Sequence, residues 1–142
     1  SVSELKYKEL ALKIAKSAHK GQCDKGGVPY INHPLKVASA FEDETRYVIA
    51  LLHDVAEDSD VTVSDLIDRG FPPEITDALT AITRCGESDE DYYKKVKSNT
   101  LAAQVKIEDL KHNIDLSRIP NPTQQDYERT EKYEQAKRFL EA

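Results

Sequence analysis

The segment that most constrains the fold is residues 47–58, which read YVIALLHDVAED. Its first six residues carry no charge, and an apolar stretch without a polar face is typical of a buried helix. The apolar run continues directly into His53, Asp54, Glu57 and Asp58. Because an α-helix turns about every 3.6 residues, these side chains are expected to project into one arc at the end of a single buried helix.

Four ionisable side chains at the end of a buried helix need compensation. Burying charged groups costs several kcal/mol unless they are paired or bind a metal, and carboxylates that lie close together raise one another's pKa. A divalent cation would remove both penalties, so a metal site is the first hypothesis. The alternative is an ordinary helix C-terminus, with His53 packed in the core and the acids solvated, although acids at that end oppose the helix dipole.

Length and composition exclude several classes of protein. The 142 residues predict one domain over 1–142. No apolar run approaches the ~18 residues of a membrane span, and no signal-peptide pattern opens the chain, so a cytoplasmic location is expected. The formal net charge of −6 argues against general binding of nucleic acid, which favours a basic surface. Cys23 and Cys85 lie far apart in predicted loops and are expected to be free thiols.

Apolar residues recur at helical spacing throughout, and no two strand-like runs are available to pair, so we predict an all-α bundle of about seven to eight helices. The predicted helices run from Leu5 to Lys20, from Asn32, from Asp43 through Asp58, from Ser64 towards Gly70, from Phe71, from Asp89 to Val96, from Thr100 and from Thr123. The predicted N-terminal caps are Asn32, Ser64 with Asp65, and Thr123 with Asp126. The predicted apolar face of the last helix is Tyr127, Tyr133, Ala136, Phe139 and Leu140.

Three separated motifs carry a family resemblance. They are PYINHPL at residues 29–35, ALLHDVAED at 50–58 and VKIEDLKHN at 105–113. Together they resemble the HD superfamily of metal-dependent phosphohydrolases. More narrowly, they are similar to the hydrolase domain of RelA/SpoT proteins and to stand-alone small alarmone hydrolases.

The resemblance implies a single divalent metal and a set of catalytic residues. The implied metal ligands are His33, His53, Asp54 and Asp109, and the implied catalytic residues beside the attacking water are Glu57 and Asp58. Two imidazoles with two carboxylates suit manganese, iron, cobalt or zinc. The resemblance favours manganese. Of the other histidines, His19 is expected on a helix surface and His112 in ordinary packing.

The resemblance also implies a phosphorylated nucleotide as substrate, most specifically guanosine 3′,5′-bis(diphosphate), from which such enzymes remove the 3′ pyrophosphate. Lys25 and Asn113 match residues that contact this substrate. Asp24 departs from the family, which carries an arginine there against the base; an acid cannot stack as a guanidinium does. Asp24 is therefore expected either to turn away or to bind the base through its acceptor oxygens.

Two other functions fit the same motifs. One is a 5′-nucleotidase or another phosphomonoesterase of the HD type. The other is a nucleotide-sensing module without enzymatic activity. The presence of both Glu57 and Asp58 argues against the sensing module, because metal binding alone does not require them.

Overall fold

The computed structural model describes the backbone of residues 2–142 and the side chains of residues 7–142. Its helices are α1 (Val2–Ala18), α2 (Asn32–Ala38), α3 (Glu44–Leu52), α4 (Val55–Asp58), α5 (Val63–Asp68), α6 (Pro73–Ile82), α7 (Asp89–Lys97), α8 (Thr100–Ile114) and α9 (Gln124–Glu141). A short 3-10 turn, Leu116–Arg118, follows α8. The described residues form no strand, which confirms the all-α prediction.

Helix α3 is the centre of the bundle. It packs against α1, α2, α6 and α8, and its residues 48–52 are at most 1% exposed. Contact on every side explains why this helix has no polar face. Burial of each large aliphatic side chain contributes about 1.5–3 kcal/mol, so α3 is the element that the other helices are assembled around.

The buried helix predicted through Asp58 is divided in the structure. Helix α3 ends at Leu52, Asp54 adopts φ −101° and ψ −4°, and α4 begins at Val55. His53 Nδ1 lies at hydrogen-bond distance from the carbonyl oxygen of Ala50, which an uninterrupted helix would offer to the N–H of Asp54. Because this side chain competes with the helical bond, the prediction of one continuous helix was wrong, and the described residues contain nine α-helices.

Two predicted caps differ from the observed ones. Asn32 is the first residue inside α2, and Ile31 occupies the cap position without a side-chain hydrogen bond. Helix α5 is capped by Thr62, which forms a reciprocal capping box with Asp65, so Ser64 is not the cap. The reason is spacing, because the capping box requires the acid three residues after the cap.

The predicted cap of the last helix is confirmed. The Thr123 side chain accepts from the N–H of Asp126, and the Asp126 side chain accepts in return from the N–H of Thr123. Helix α8 ends at Ile114. Tyr127 and Phe139, both predicted on the apolar face of α9, are 55% and 40% exposed, because they lie near the two ends of the helix at the edge of the core.

Two further expectations concern the cysteines and the membrane. Cys23 and Cys85 are both free and exposed, as predicted. Among the described residues, no helix has both the length and the apolar character needed to cross a lipid bilayer.

Candidate metal centre

The structure brings four buried side chains together at the centre of the bundle. His33 comes from the first turn of α2, His53 and Asp54 from the junction of α3 and α4, and Asp109 from the middle of α8. One donor atom from each of the four lies within 4.8 Å of the other three. This set is the ligand set implied by the sequence motifs, although its members are up to 76 residues apart in sequence.

Both histidines of the cluster are oriented by a contact on the side of the ring that faces away from the cluster. His53 Nδ1 faces the carbonyl oxygen of Ala50, and His33 Nδ1 faces Nδ1 of His112, whose ring stacks on it with centroids 4.7 Å apart. The Nε2 atoms are therefore turned inward. They lie 2.6 Å (His33) and 3.2 Å (His53) from Oδ1 of Asp109. The contact of His53 with a backbone carbonyl is of the kind that orients metal-binding histidines in proteins generally.

The charges at the centre are strongly coupled. Burial lowers the pKa of His53, but the carboxylates of Asp54 and Asp109 outweigh burial and raise it well above its ordinary value. Burial raises the pKa of Asp54, yet the adjacent His53 brings it down to about 2. The pKa of Asp109 lies well below its ordinary range because Lys106 and His53 outweigh burial. Asp54 and Asp109 thus keep their negative charge beside protonated His53. A divalent metal fits such a buried pair of carboxylates.

Tyr30 and His19 extend this centre, and neither was predicted to belong to it. The Tyr30 hydroxyl donates to Oδ2 of Asp54 at 2.6 Å; burial and then Asp54 raise its pKa, so it stays protonated. His19 packs on Tyr30 with ring centroids 4.9 Å apart. Because His19 is only 2% exposed, its predicted position on a helix surface was wrong. The only sequence signal for Tyr30 is its place three residues before His33.

Glu57 and Asp58 lie on α4, which directly follows His53 and Asp54 of the buried cluster. Oε1 of Glu57 accepts a short hydrogen bond from the backbone N–H of Arg84. Burial raises the pKa of Glu57, with Asp54 adding to the rise and the Arg84 N–H opposing it. Burial and Asp54 also raise the pKa of Asp58. Both groups are therefore better proton acceptors than ordinary surface carboxylates.

A cavity of about 340 Å³ opens beside the buried cluster. It lies between the loop at residues 21–29, the end of α8 and the start of α9, and its wall includes His33, Lys25, Asn113 and Tyr133. Asn113 also donates to Oδ1 of Asp109 at 3.1 Å. The wall residue His33 connects the cavity to the centre, so a bound molecule could reach both at once.

Asp24 also lies in this wall, but it is engaged by the protein. Its Oδ1 accepts from the N–H groups of Gly26 at 2.9 Å and Val28 at 3.0 Å. Its Oδ2 accepts from Nη1 of Arg118 at 3.1 Å. Direct contact between Asp24 and a base stays a prediction, and it would compete with these three bonds.

Lys25 is paired with the start of the last helix. Its Nζ donates to Oδ1 of Asp126 at 3.0 Å, and Arg129 binds the same carboxylate oxygen. The buried Asp126 keeps its charge, because the N–H of Thr123, Arg129 and Lys25 all lower its pKa. One capping carboxylate thus fixes two cations, Lys25 and Arg129, in the wall of the cavity.

Comparison with known proteins assigns the family. The model of a family described as "HD domain" matches residues 11–114, a range that includes all four members of the buried cluster. The chain belongs to the HD domain family. Helix α9, which contributes Arg129 and Tyr133 to the cavity, lies beyond the matched residues of this HD domain.

Three curated relatives are similar to this HD domain. A guanosine-3′,5′-bis(diphosphate) 3′-pyrophosphohydrolase of Haemophilus influenzae is 34% identical over 116 residues, which is 71% of this chain and 17% of that protein. The Aquifex aeolicus protein of the same name is 31% identical over 115 residues, or 74% and 16% of the two chains. A probable GTP pyrophosphokinase of Mycobacterium leprae is 29% identical over 137 residues, or 87% and 17%. The chain therefore spans about a sixth of the length of these relatives.

One solved structure confirms the fold. It is described as a metazoan ortholog of SpoT that hydrolyzes ppGpp, and it superposes with a TM-score of 0.75 at 22% identity. The likeness covers 94% of this chain and 84% of that one. The helical HD fold is thus shared over nearly the whole chain.

Proposed function

We propose that this HD domain is a divalent-metal-dependent nucleotide phosphohydrolase that removes pyrophosphate from the 3′ position of guanosine 3′,5′-bis(diphosphate). The observation that carries the proposal is the buried cluster of two imidazoles and two carboxylates at one end of a cavity with a cationic wall. The names of the relatives from Haemophilus influenzae and Aquifex aeolicus support the same substrate.

The proposed metal is manganese, held by His33, His53, Asp54 and Asp109. When bound, a divalent metal lowers the pKa of water towards neutrality and withdraws charge from a phosphate oxygen. The inward-facing Nε2 atoms of the two histidines would supply the imidazole ligands, and His53 would have to lose its proton to bind the metal. The two carboxylates balance the charge of the cation.

The chain's own acid and base groups complete the proposed reaction. Glu57, whose pKa is raised, accepts a proton from the attacking water, and Asp58 orients that water. The oxygen of water bonds to the phosphorus next to the ribose, and the bond from this phosphorus to the ribose 3′ oxygen breaks. The 3′ oxygen takes up a proton from solvent, and Glu57 releases to solvent the proton that it accepted. Lys25 and Asn113 bind the nucleotide in the cavity.

The deciding experiment offers a nucleotide panel to the purified protein with manganese and identifies the released phosphate. Pyrophosphate from guanosine 3′,5′-bis(diphosphate) is the expected product. Release of orthophosphate from nucleoside monophosphates would instead establish the 5′-nucleotidase or phosphomonoesterase alternative. Nucleotide binding without any turnover would identify a sensing module and overturn the proposal.

A Glu57→Gln variant separates chemistry from metal binding. Turnover should fall at least about 100-fold, the usual size of a general-base contribution, while elemental analysis finds the metal still bound. Glu128→Gln is the matched control because Glu128 is exposed on α9, and its turnover should equal that of the wild type. Wild-type turnover in metal-loaded Glu57→Gln protein would remove Glu57 from the mechanism.

A further inference from the structure

The 3-10 turn after α8 places an arginine in the cavity that no sequence motif identified. Arg118 ends this turn, and its side chain is 31% exposed. It lines the same 340 Å³ cavity as His33 and Asn113. Arg118 therefore lies beside the residues that are proposed to bind metal and nucleotide.

The guanidinium of Arg118 is held from two sides. Nη1 donates to Oδ2 of Asp24 at 3.1 Å, and Nη2 donates to the carbonyl oxygen of His112 at 3.2 Å. The partner carboxylate is itself fixed, because Oδ1 of Asp24 accepts from the N–H groups of Gly26 and Val28. Neither anchor can move without breaking the turn of the loop or the last turn of α8.

The loop backbone is also packed closely against Arg118. A Cβ atom placed on Gly26 would lie 2.5 Å from the carbonyl oxygen of Arg118, so only glycine allows this approach. Arg118 is thus restrained through its backbone as well as through its guanidinium. A side chain restrained in this way loses little conformational entropy when a ligand packs on it.

The chemistry of a guanidinium determines what such a residue can bind. Nη1 and Nη2 each donate one hydrogen bond to the protein and Nε is buried, so the orientation of the guanidinium plane is fixed and its face can meet a ligand. Guanidinium faces stack on aromatic rings, and the aromatic part of a nucleotide is its base. Asn113, in the same wall, offers an amide to a neighbouring polar group.

We propose that Arg118 is the stacking surface for the nucleobase and that Asp24 is a positioning residue, which acts by holding the guanidinium. This inference rests on the proposed function, because it presumes a nucleotide in the cavity. It gives the acidic residue of the loop a role that agrees with its three hydrogen bonds. Arg118 contacts the base, and the carboxylate of Asp24 holds Arg118 in place.

Equilibrium binding of two probes to the manganese-loaded protein tests the proposal. Guanosine 5′-diphosphate carries a base, and inorganic pyrophosphate does not. Arg118→Lys keeps the charge but loses the plane, so affinity for guanosine 5′-diphosphate should fall at least about 5-fold, the lower limit for one stacked base. Affinity for pyrophosphate should change less than about 2-fold. The matched control Arg138→Lys, at a 65% exposed position on α9, should alter neither.

The role of Asp24 is tested by coupling the two substitutions. Asp24→Asn should also weaken binding of guanosine 5′-diphosphate, and the double variant should bind no more weakly than Arg118→Lys alone, because Asp24 acts through Arg118. With a hydrolysed nucleotide, Arg118→Lys should raise KM and leave kcat unchanged. Additive losses in the double variant would show that Asp24 contacts the base itself and would overturn the inference.

These experiments test the stacking role of Arg118 and the proposed hydrolase activity separately. Equal affinity of wild type and Arg118→Lys for guanosine 5′-diphosphate would overturn the stacking role, whatever the protein hydrolyses. Selective loss of this affinity in Arg118→Lys would support the stacking role even if no nucleotide were turned over. That second result would contradict only the proposed hydrolase activity.

Discussion

Replacing Lys106 by methionine should destabilise the metal-free protein by about 3 kcal/mol. Nζ of Lys106 lies 2.8 Å from Oδ2 of Asp109, and the two side chains are 15% and 4% exposed. Removing one partner of a buried ion pair costs about 3–5 kcal/mol. The lower end applies because Asp109 keeps its hydrogen bonds to His33, His53 and Asn113. In a domain of this size the loss corresponds to a decrease in Tm of about 10 °C.

Thermal or urea unfolding in the presence of a chelator measures this loss. The control is Lys111→Met on the same helix: Lys111 pairs with Glu108 at the same three-residue spacing and a similar distance of 3.1 Å, but the side chains are 51% and 28% exposed. An exposed pair contributes less than about 1 kcal/mol. If the free energy of unfolding fell equally in the two variants, burial would not be the reason for the larger contribution of the Lys106 ion pair, and the argument would be refuted.

Two further predictions concern the metal. Because Asp54 and Asp109 raise the pKa of His53 above 6.5 against the effect of burial, protonated His53 stabilises the metal-free protein fully below pH 6.5, and this contribution is lost as pH rises through the raised pKa. Manganese must displace that proton, so its affinity should rise with pH in calorimetric titrations until the pH passes the raised pKa of His53; a flat profile below that pKa would show that His53 is not a ligand. Tyr30→Phe removes the 2.6 Å hydrogen bond to Asp54 and should weaken manganese binding about 10-fold, at the lower end for a residue that orients a metal ligand. Unchanged affinity in a competition titration would show that Asp54 is held without Tyr30.

The elements that could be predicted from the sequence are those whose signal is local. The charge-free run before His53 predicted a buried central helix, and Val48–Leu52 form the buried part of α3. The spacing of Thr123 and Asp126 predicted a capping box, and the box is present. In each case the residues that determine the structure lie within one or two helical turns, so periodicity and spacing contain the information.

The features that could not be predicted depend on contacts between distant segments or on competition for one atom. The helix breaks after Leu52 because the His53 ring forms a hydrogen bond with the carbonyl oxygen of Ala50. The periodicity of apolar residues contains no information about such a bond. Arg118 pairs with Asp24 across 94 residues, so neither position alone indicates the pair. The motifs named the four residues of the buried cluster, but only the fold shows that Tyr30 holds one of them.

The bond between Lys25 and Asp126 joins parts of the chain 101 residues apart. This ion pair couples the position of α9 to the position of Lys25 in the wall of the cavity. Thermodynamic reciprocity then applies: if displacement of α9 weakens nucleotide binding, a bound nucleotide must hold α9 in place with the same free energy. A molecule that binds only the outer face of α9, and binds it more tightly in one position than in the other, would therefore change affinity in the cavity without entering it.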